Sequence, residues 1–454
     1  MPSMQTLFRA IALALFCAFL GAHAVGLSQV VQVALVTVLI IFLLATSAVP
    51  EFFASLLFLA IVLSSGIATE EAALAGFQSK AVWLAFAGII LGAAIHKHKL
   101  GDVLFDRLLV RIQSYRALVW SIATAGLLLS FVVPSAMGRV VMLTPLVLAI
   151  CERFGLGPDT PGRYGACLAV FAGTVFPAMT ILPSNVPNVV MLGAMEATLG
   201  HGVTYARYFI LNFPVLGIGS FILLPLLICR LFPGQIVPVS IEAQRPQWTG
   251  EQKRLATVLL ATLVFWATDS LHGVSAAWIG LAAAVICMTP VIGVIQPQIF
   301  NTLSFGPWFF VAGVIGLGAM VRESGIVTHV WQGLSAAIPF AELSAPLQFF
   351  ALYLTTMVIA VLATLPPMPS IFTPMAPLVA QTIGWPVEAT VLAQVPAFAL
   401  FIFPYQAPPV IIGLALLKIP ARQVLKLLAT YTAAGIIVLL PLHYLWGRTI
   451  GVFP

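Results

Sequence analysis

Pro134-Ser-Ala-Met-Gly-Arg139-Val-Val-Met-Leu-Thr-Pro145 and Pro366-Pro-Met-Pro-Ser370-Ile-Phe-Thr-Pro-Met-Ala-Pro377 are the two stretches whose reading decides the fold. Each opens on a proline-bearing break and leads into a short apolar segment, 140–150 in the first case and 370–383 in the second. At ~1.5 Å rise per residue, a segment as short as 140–150 covers about half of a ~30 Å hydrocarbon core. Proline ends helices because it lacks the N–H and crowds the preceding turn. Breaks of this kind persist at membrane depth only where they line a polar cavity inside protein. Two further short segments, 189–198 and 408–417, follow Pro183-Ser-Asn-Val-Pro187 and Pro404-Tyr-Gln-Ala-Pro408.

The surroundings of the two stretches match as well. Upstream, Trp83-Leu-Ala-Phe-Ala-Gly88-Ile-Ile-Leu-Gly-Ala parallels Trp308-Phe-Phe-Val-Ala-Gly313-Val-Ile-Gly-Leu-Gly, and each leads through Gly101 or Gly325 into an interfacial stretch. Both halves then run in one order: span, interfacial segment, re-entrant hairpin, broken span. Basic residues set the sidedness by the positive-inside rule. Segments 97–116, 151–163, 230–254 and 418–426 carry the Lys and Arg clusters and belong in the cytoplasm. Segments 69–79, 199–206, 271–274 and 322–345 belong outside, whereas 295–305 should be cytoplasmic and has no base. The hairpins then enter from opposite faces, which makes the repeat an inverted one. Such repeats point to a secondary transporter with its site between discontinuous helices at the midplane.

Composition agrees. Of 454 residues, 61% are hydrophobic and 7% charged, against about 25% charged in soluble domains. Mean hydropathy is +1.09. A soluble enzyme, a disordered chain and a nucleic-acid-binding protein are excluded, and the solvating partner is the lipid bilayer. A membrane barrel would alternate apolar and polar residues, and these segments do not. The fold class is an all-α polytopic membrane protein of about eleven spans with two re-entrant hairpins. The N-terminus falls in the cytoplasm and the C-terminus outside. The run 10–20 with its small-residue tail also fits a signal peptide, but the topology needs it as an uncleaved first span. The five cysteines share no metal spacing and read as small apolar residues. Segment 100–113 has the apolar period of a helix lying in the cytoplasmic interface. No HExxH, GxGD or GxSxG motif supports an intramembrane enzyme.

The candidate site follows from the breaks. Half-helix N-termini carry partial positive charge and unpaired N–H groups, so four of them converging favour an anion. The substrate-binding candidates are Ser135, Met137 and Arg139 at the first tip, Ser184, Asn185 and Asn188 at the first broken helix, Pro367 and Ser370 at the second tip, and Gln406 at the second broken helix. Ser135, Asn185, Asn188 and Gln406 also read as caps. Arg139 sits in an apolar arm, where its insertion costs roughly 2.5–3.5 kcal/mol, and it reads as functional, or else as snorkelling or paired with an acid. Glu196 and Asp269 fall near span ends, and no buried acid or His for a proton relay is evident.

These pieces together resemble the divalent anion/sodium symporter family, within the wider ion-transporter superfamily of elevator transporters, from about residue 47 onward. The clearest stretch is Glu71-Ala-Ala-Leu-Ala-Gly-Phe-Gln-Ser-Lys-Ala-Val-Trp83 with the Gly-rich span after it. Ser135 to Pro145 lies in the register of the family's Ser-Asn-Thr hairpin motif, and Leu182-Pro-Ser-Asn-Val-Pro-Asn188 falls where the family has a Gly-Thr-Pro-Pro-Asn break. The resemblance implies tips that bind substrate carboxylates and help to ligate sodium. Only Ser135 is kept at the first tip, nothing at the second (Pro367, Met368, Pro369), and Asn188 is kept where Val410 stands for a usual Asn. Ser135 and Asn188 are thus the sodium candidates, because Ala, Met and Pro side chains offer no oxygen to a hard cation. Arg139 then stands as a fixed counter-charge, with sodium, proton or exchange coupling all open. No cofactor is implied beyond that ion.

The resemblance also implies a homodimer, in a bacterial inner membrane. Its fixed scaffold would be 1–96 and 207–321, the latter with cytoplasmic linker 230–255. A moving part, 117–206 and 346–454, would slide on interfacial segments 97–116 and 322–345. The expected substrate is a small anion, a di- or tricarboxylate. Sulfate-type oxyanions come next, then arsenite or cation antiport within the same superfamily. A passive channel is the remaining alternative.

Overall fold

The computed structural model describes residues 4–46, 48–100, 112–237, 248–290, 292 and 294–454. Among them every regular element is helical. Four helices open the chain: α1 (Met4–Ala24), α2 (Gln29–Thr46), α3 (Glu51–Ser65) and α4 (Glu70–Gln78). The first repeat comprises α5 (Lys80–Lys97), α6 (Tyr115–Val132), α7 (Ala136–Arg153), α8 (Pro161–Thr174), α9 (Val186–Leu199) and α10 (Tyr205–Leu231). Helices α11 (Gly250–Ala267) and α12 (Ala276–Met288) link it to the second. That repeat comprises α13 (Gly306–Glu323), α14 (Ile326–Ala337), α15 (Ala345–Ala363), α16 (Met368–Ile383), α17 (Val387–Ala399), α18 (Pro408–Leu417), α19 (Ala421–Ile437) and α20 (Leu439–Thr449). The predicted cytoplasmic interfacial helix at 100–113 lies mostly outside the described residues. Its counterpart α14 is present, bent 76° from α13 at Gly325, whose φ of +75° only glycine adopts freely.

Six described helices are long and apolar enough to cross a membrane, or up to eight if each bent pair is one span. The hairpin arms are longer than their apolar runs suggest. α7 has 18 residues and α16 has 16, about 27 and 24 Å of rise. In α7 a cap carries the helix past the apolar boundary: Ser135 accepts from Gly138 N at 3.1 Å and starts it four residues before the apolar run. Segment 69–79, expected as an outer loop, is mostly helix, because Thr69 caps α4 through Ala72 N. α4 lies along α13 so closely that a Cβ on Gly76 would meet Ala312 O at 2.0 Å.

Contacts between the repeats are reciprocal. α9 packs on α16, and α18 packs on α7. In each case the second half of one broken helix meets the second arm of the other repeat's hairpin. At the centre, Phe176 and Phe401 stack with centroids 5.0 Å apart and planes 9° apart. Each lies two residues beyond the end of the first half of its broken helix, Thr174 or Ala399. Equivalent residues meet face to face only near a pseudo-twofold axis.

The loops gather by their expected side. Tyr115 Oη donates to Phe232 O at 2.8 Å, Val237 N to Phe154 O at 3.0 Å, and Lys426 Nζ to Leu231 O at 3.5 Å. Gln252 Nε2 donates to His98 O at 2.9 Å, and the His98 ring pairs with Val294 O at 2.5 Å. The baseless loop therefore begins among the basic ones. Segments 69–79, 199–206 and 322–345 instead share one cavity of about 640 Å³.

Two buried ionisable groups correct the expectation that none exists. His443 is fully buried, and both its ring nitrogens lack a hydrogen-bond partner among the described residues. Asp269, 4% exposed, accepts from Tyr205 N at 2.5 Å and Ala206 N at 3.3 Å. It caps α10 across 64 residues and ties that helix to the α11–α12 connection. An N-cap is worth about 0.5–2 kcal/mol. Asp269→Ala is accordingly expected to lower the melting temperature of the detergent-purified protein by a few degrees, with Asp269→Asn between it and wild type.

Candidate functional site

α8 stops because Pro177 follows and the chain turns through two 3₁₀ turns, Pro177–Thr180 and Leu182–Ser184, before α9 begins. This leaves carbonyls at the C-terminus of α8 without helical partners, in a position where no residue is exposed. Arg139 supplies the donors. Its guanidinium is fully buried. Nε and Nη2 donate to Thr174 O at 3.2 and 2.6 Å, and Nη1 donates to Ser184 O at 3.1 Å, to Ser184 Oγ at 3.0 Å and to Val133 O. One cation thus closes the hairpin tip onto both sides of the break. It also sits at the negative end of α8, where positive charge is favoured. Its partners are carbonyl and hydroxyl oxygens. No acid is among them, and full burial leaves no room for snorkelling, so neither structural reading of this arginine holds.

Asn188 is spent in the same way. It donates to Ile181 O at 2.9 Å and Ala178 O at 3.3 Å and accepts from Tyr208 Oη at 3.1 Å. Tyr208 also donates to Met179 O at 2.6 Å. Asn185 faces Val175 O, or Ser184 O and Met179 N with its amide reversed. Ser184 Oγ donates to Ser130 O at 2.5 Å. The first break is therefore a saturated polar core. Ser135 alone among its candidates is exposed, with Met137 half-buried. As the first residues of α7, Ala136 and Met137 have N–H groups with no intrahelical acceptor. A small anion approaching the tip meets these donors, with the Arg139 charge one turn behind.

The second half is different in kind. Pro366, Pro367 and Pro369 remove N–H donors from its tip, and Pro408 and Pro409 do so at the start of α18. Ser370 Oγ donates to Pro367 O at 2.7 Å. Gln406 Oε1 accepts from Phe403 N at 2.8 Å and Ile402 N at 3.1 Å, and Gln406 O accepts from Leu365 N at 2.9 Å. Pro367, Ser370 and Gln406 are all buried, so none of them faces open space. Beside them Thr364 holds φ +69° and ψ 170°, a region that is nearly glycine-only and costs a β-branched residue about 1–3 kcal/mol. No sequence signal marked Thr364, Tyr208 or the Phe176–Phe401 stack. The prolines around them marked only the breaks.

Comparison with known proteins places this geometry. The YdaH transporter of Alcanivorax borkumensis shares the fold, with a TM-score of 0.54 at 18% identity over 85% of this chain and 89% of that one. A membrane protein of Cupriavidus necator is 27% identical over 407 residues, 84% of this chain and 77% of the relative. The L-tartrate/succinate antiporters of Shigella dysenteriae and Escherichia coli are 24% identical over 277 residues. That match takes in 58% of this chain and spans only 56% of those relatives. A family model described as the sodium:sulfate symporter transmembrane region matches residues 3–453. The chain is a membrane transport protein of the divalent anion/sodium symporter family.

Proposed function

We propose that the protein carries a small dicarboxylate across the membrane by exchange, without a stoichiometric sodium ion at the first tip. The observation that carries this reading is the Arg139 cage. Oxygens of Val133, Thr174 and Ser184 surround one guanidinium, and oxygen is the ligand type that suits a hard cation. A covalently tethered charge fills that cage, leaving Ser135 and Asn188 no ion to share. The charge that a bound ion would lend to an anionic substrate is permanent here. Exchange then requires the substrate itself to accompany each crossing. The kinship with antiporters named for tartrate and succinate supports the substrate class.

The movement proposed is elevator-like. The hairpins and broken helices, 117–206 and 346–454, slide against a scaffold of 1–96 and 207–321, and two copies of the scaffold pair in the membrane. Proteoliposome counterflow with labelled succinate tests the reading. Succinate inside is expected to accelerate uptake, and replacing sodium by choline to change the rate by less than about twofold. In a thermal-shift screen, succinate or tartrate at ~100 times its Kd stabilises the native state by about 2.7 kcal/mol. A steep sodium dependence, or flux without counterflow, would sink the proposal. Sulfate is the second reading, favoured by the family's description, and stabilisation by sulfate but not by succinate would select it.

A further inference from the structure

The cavity of about 640 Å³ lies where α9 meets the scaffold helices α5 and α13. Its lining is polar, with Glu71, Ser79, Lys80, Glu196, Arg322 and Glu323 contributing. Two of these six residues touch across the boundary. Glu196 Oε2 accepts from Ser79 Oγ at 2.6 Å, over 117 residues of chain. Ser79 is also the N-cap of α5, accepting from Ala81 N at 3.1 Å. The Glu196 carboxylate therefore sits at the positive end of an 18-residue helix. One turn earlier on α9, Gly193 lets the two helices close: a Cβ there would stand 2.2 Å from Ile315 Cδ1 and 3.0 Å from Ser79 Oγ.

We propose that Glu196 is a proton-binding site that latches the moving part to the scaffold, charged when latched and protonated when released. The inference rests on the elevator reading above. A charged carboxylate makes a short, charge-assisted bond to Ser79 and is held by the helix dipole. Protonation removes the charge on which both depend. The ionisable groups facing Glu196 from the packed elements are Lys80 on α5, Glu71 on α4, and Arg322 and Glu323 on α13. α16, which also packs on α9, has no ionisable residue. Glu323 is engaged elsewhere, accepting from Thr69 Oγ1 at 2.9 Å. Burial opposes the charge on Glu196, whereas Ser79, the N–H groups that open α5 and Lys80 favour it. A hydrogen bond to a charged group is worth enough to move a two-state equilibrium by about tenfold or more.

Two measurements on the full chain in proteoliposomes test the latch. In the first, succinate exchange is followed from about pH 8 to about pH 5, around and above the carboxyl range. Wild type is expected to speed up by about tenfold on acidification, with Glu196→Gln fast throughout. Titration of succinate itself affects both proteins equally and cancels in their ratio. The second needs no substrate. Ala75→Cys on α4, in a chain with Cys17→Ser and Cys229→Ser, reports access to the cavity through its rate of maleimide modification. The ratio of that rate with and without Glu196→Gln is expected to change with pH, because release alters access only where the latch exists. A ratio constant across the pH range overturns the latch. A pH-dependent ratio in a protein that exchanges no succinate upholds the latch and overturns the carboxylate reading instead.

Discussion

Arg139→Ala is expected to abolish transport and to lower stability by at least about 2 kcal/mol, since each buried acceptor left unpaired costs about 1–3 kcal/mol. Two carbonyls, Thr174 O and Ser184 O, lose their donor at once, and Val133 O is left with Ser135 N alone. They belong to a hairpin tip, a helix end and a break that nothing else holds together in the same way. Melting in detergent and succinate counterflow at matched expression are the measurements. Arg139→Lys keeps the charge but places a single ammonium where a planar fork reaches both sides of the break. It should fold better than the alanine variant and still transport poorly. Sodium offers a readout that a purely structural arginine would not move. In the alanine variant the oxygen cage is vacated, so sodium should recover part of the lost stability, whereas it leaves wild type unchanged. Normal melting and normal uptake in Arg139→Ala would remove the residue from the mechanism altogether.

The second large effect is expected from Gly318→Val. A Cβ at Gly318 would lie 2.7 Å from Ser370 O and 3.1 Å from Ser370 Cβ. The nearest of these atoms is backbone, so no rotamer change relieves the clash, and α13 must part from α16. Overpacking of this kind costs about 1–3 kcal/mol, and here it falls where the second hairpin packs on α13. Counterflow should drop by more than about tenfold in protein that still inserts and folds. Gly88 shows the same close approach for the first hairpin, where a Cβ would meet Pro134 Cγ at 2.8 Å. Gly92, on the same helix as Gly88, has nothing within 4 Å, and Gly92→Val should behave like wild type. Equal losses from Gly92→Val and Gly318→Val would show that valine harms these helices through propensity rather than through contact with the hairpins.

Much of the architecture was legible because its causes are local. A proline lacks its N–H wherever the chain goes, so Pro134, Pro183, Pro366 and Pro404 announced the breaks. Lys and Arg clusters partitioned the loops, and the loops assigned to each side do meet one another. The length of α7 was underestimated because hydropathy marks where a segment is apolar, whereas the cap Ser135 decides where the helix begins. Glu196 was read as interfacial from its place near a span end, and nothing local announced its bond to Ser79, 117 residues away.

The amino-acid sequence by itself determined that this is an all-helical membrane protein, doubled, with broken helices and one costly arginine in an apolar arm. Only the tertiary structure decided what that arginine does. Its acceptors lie 6, 35 and 45 residues away along the chain, and the Phe176–Phe401 stack joins residues from opposite halves. Charge, hydropathy and missing donors are properties a residue carries with it, whereas the partner of a buried polar group is fixed only when distant segments have packed.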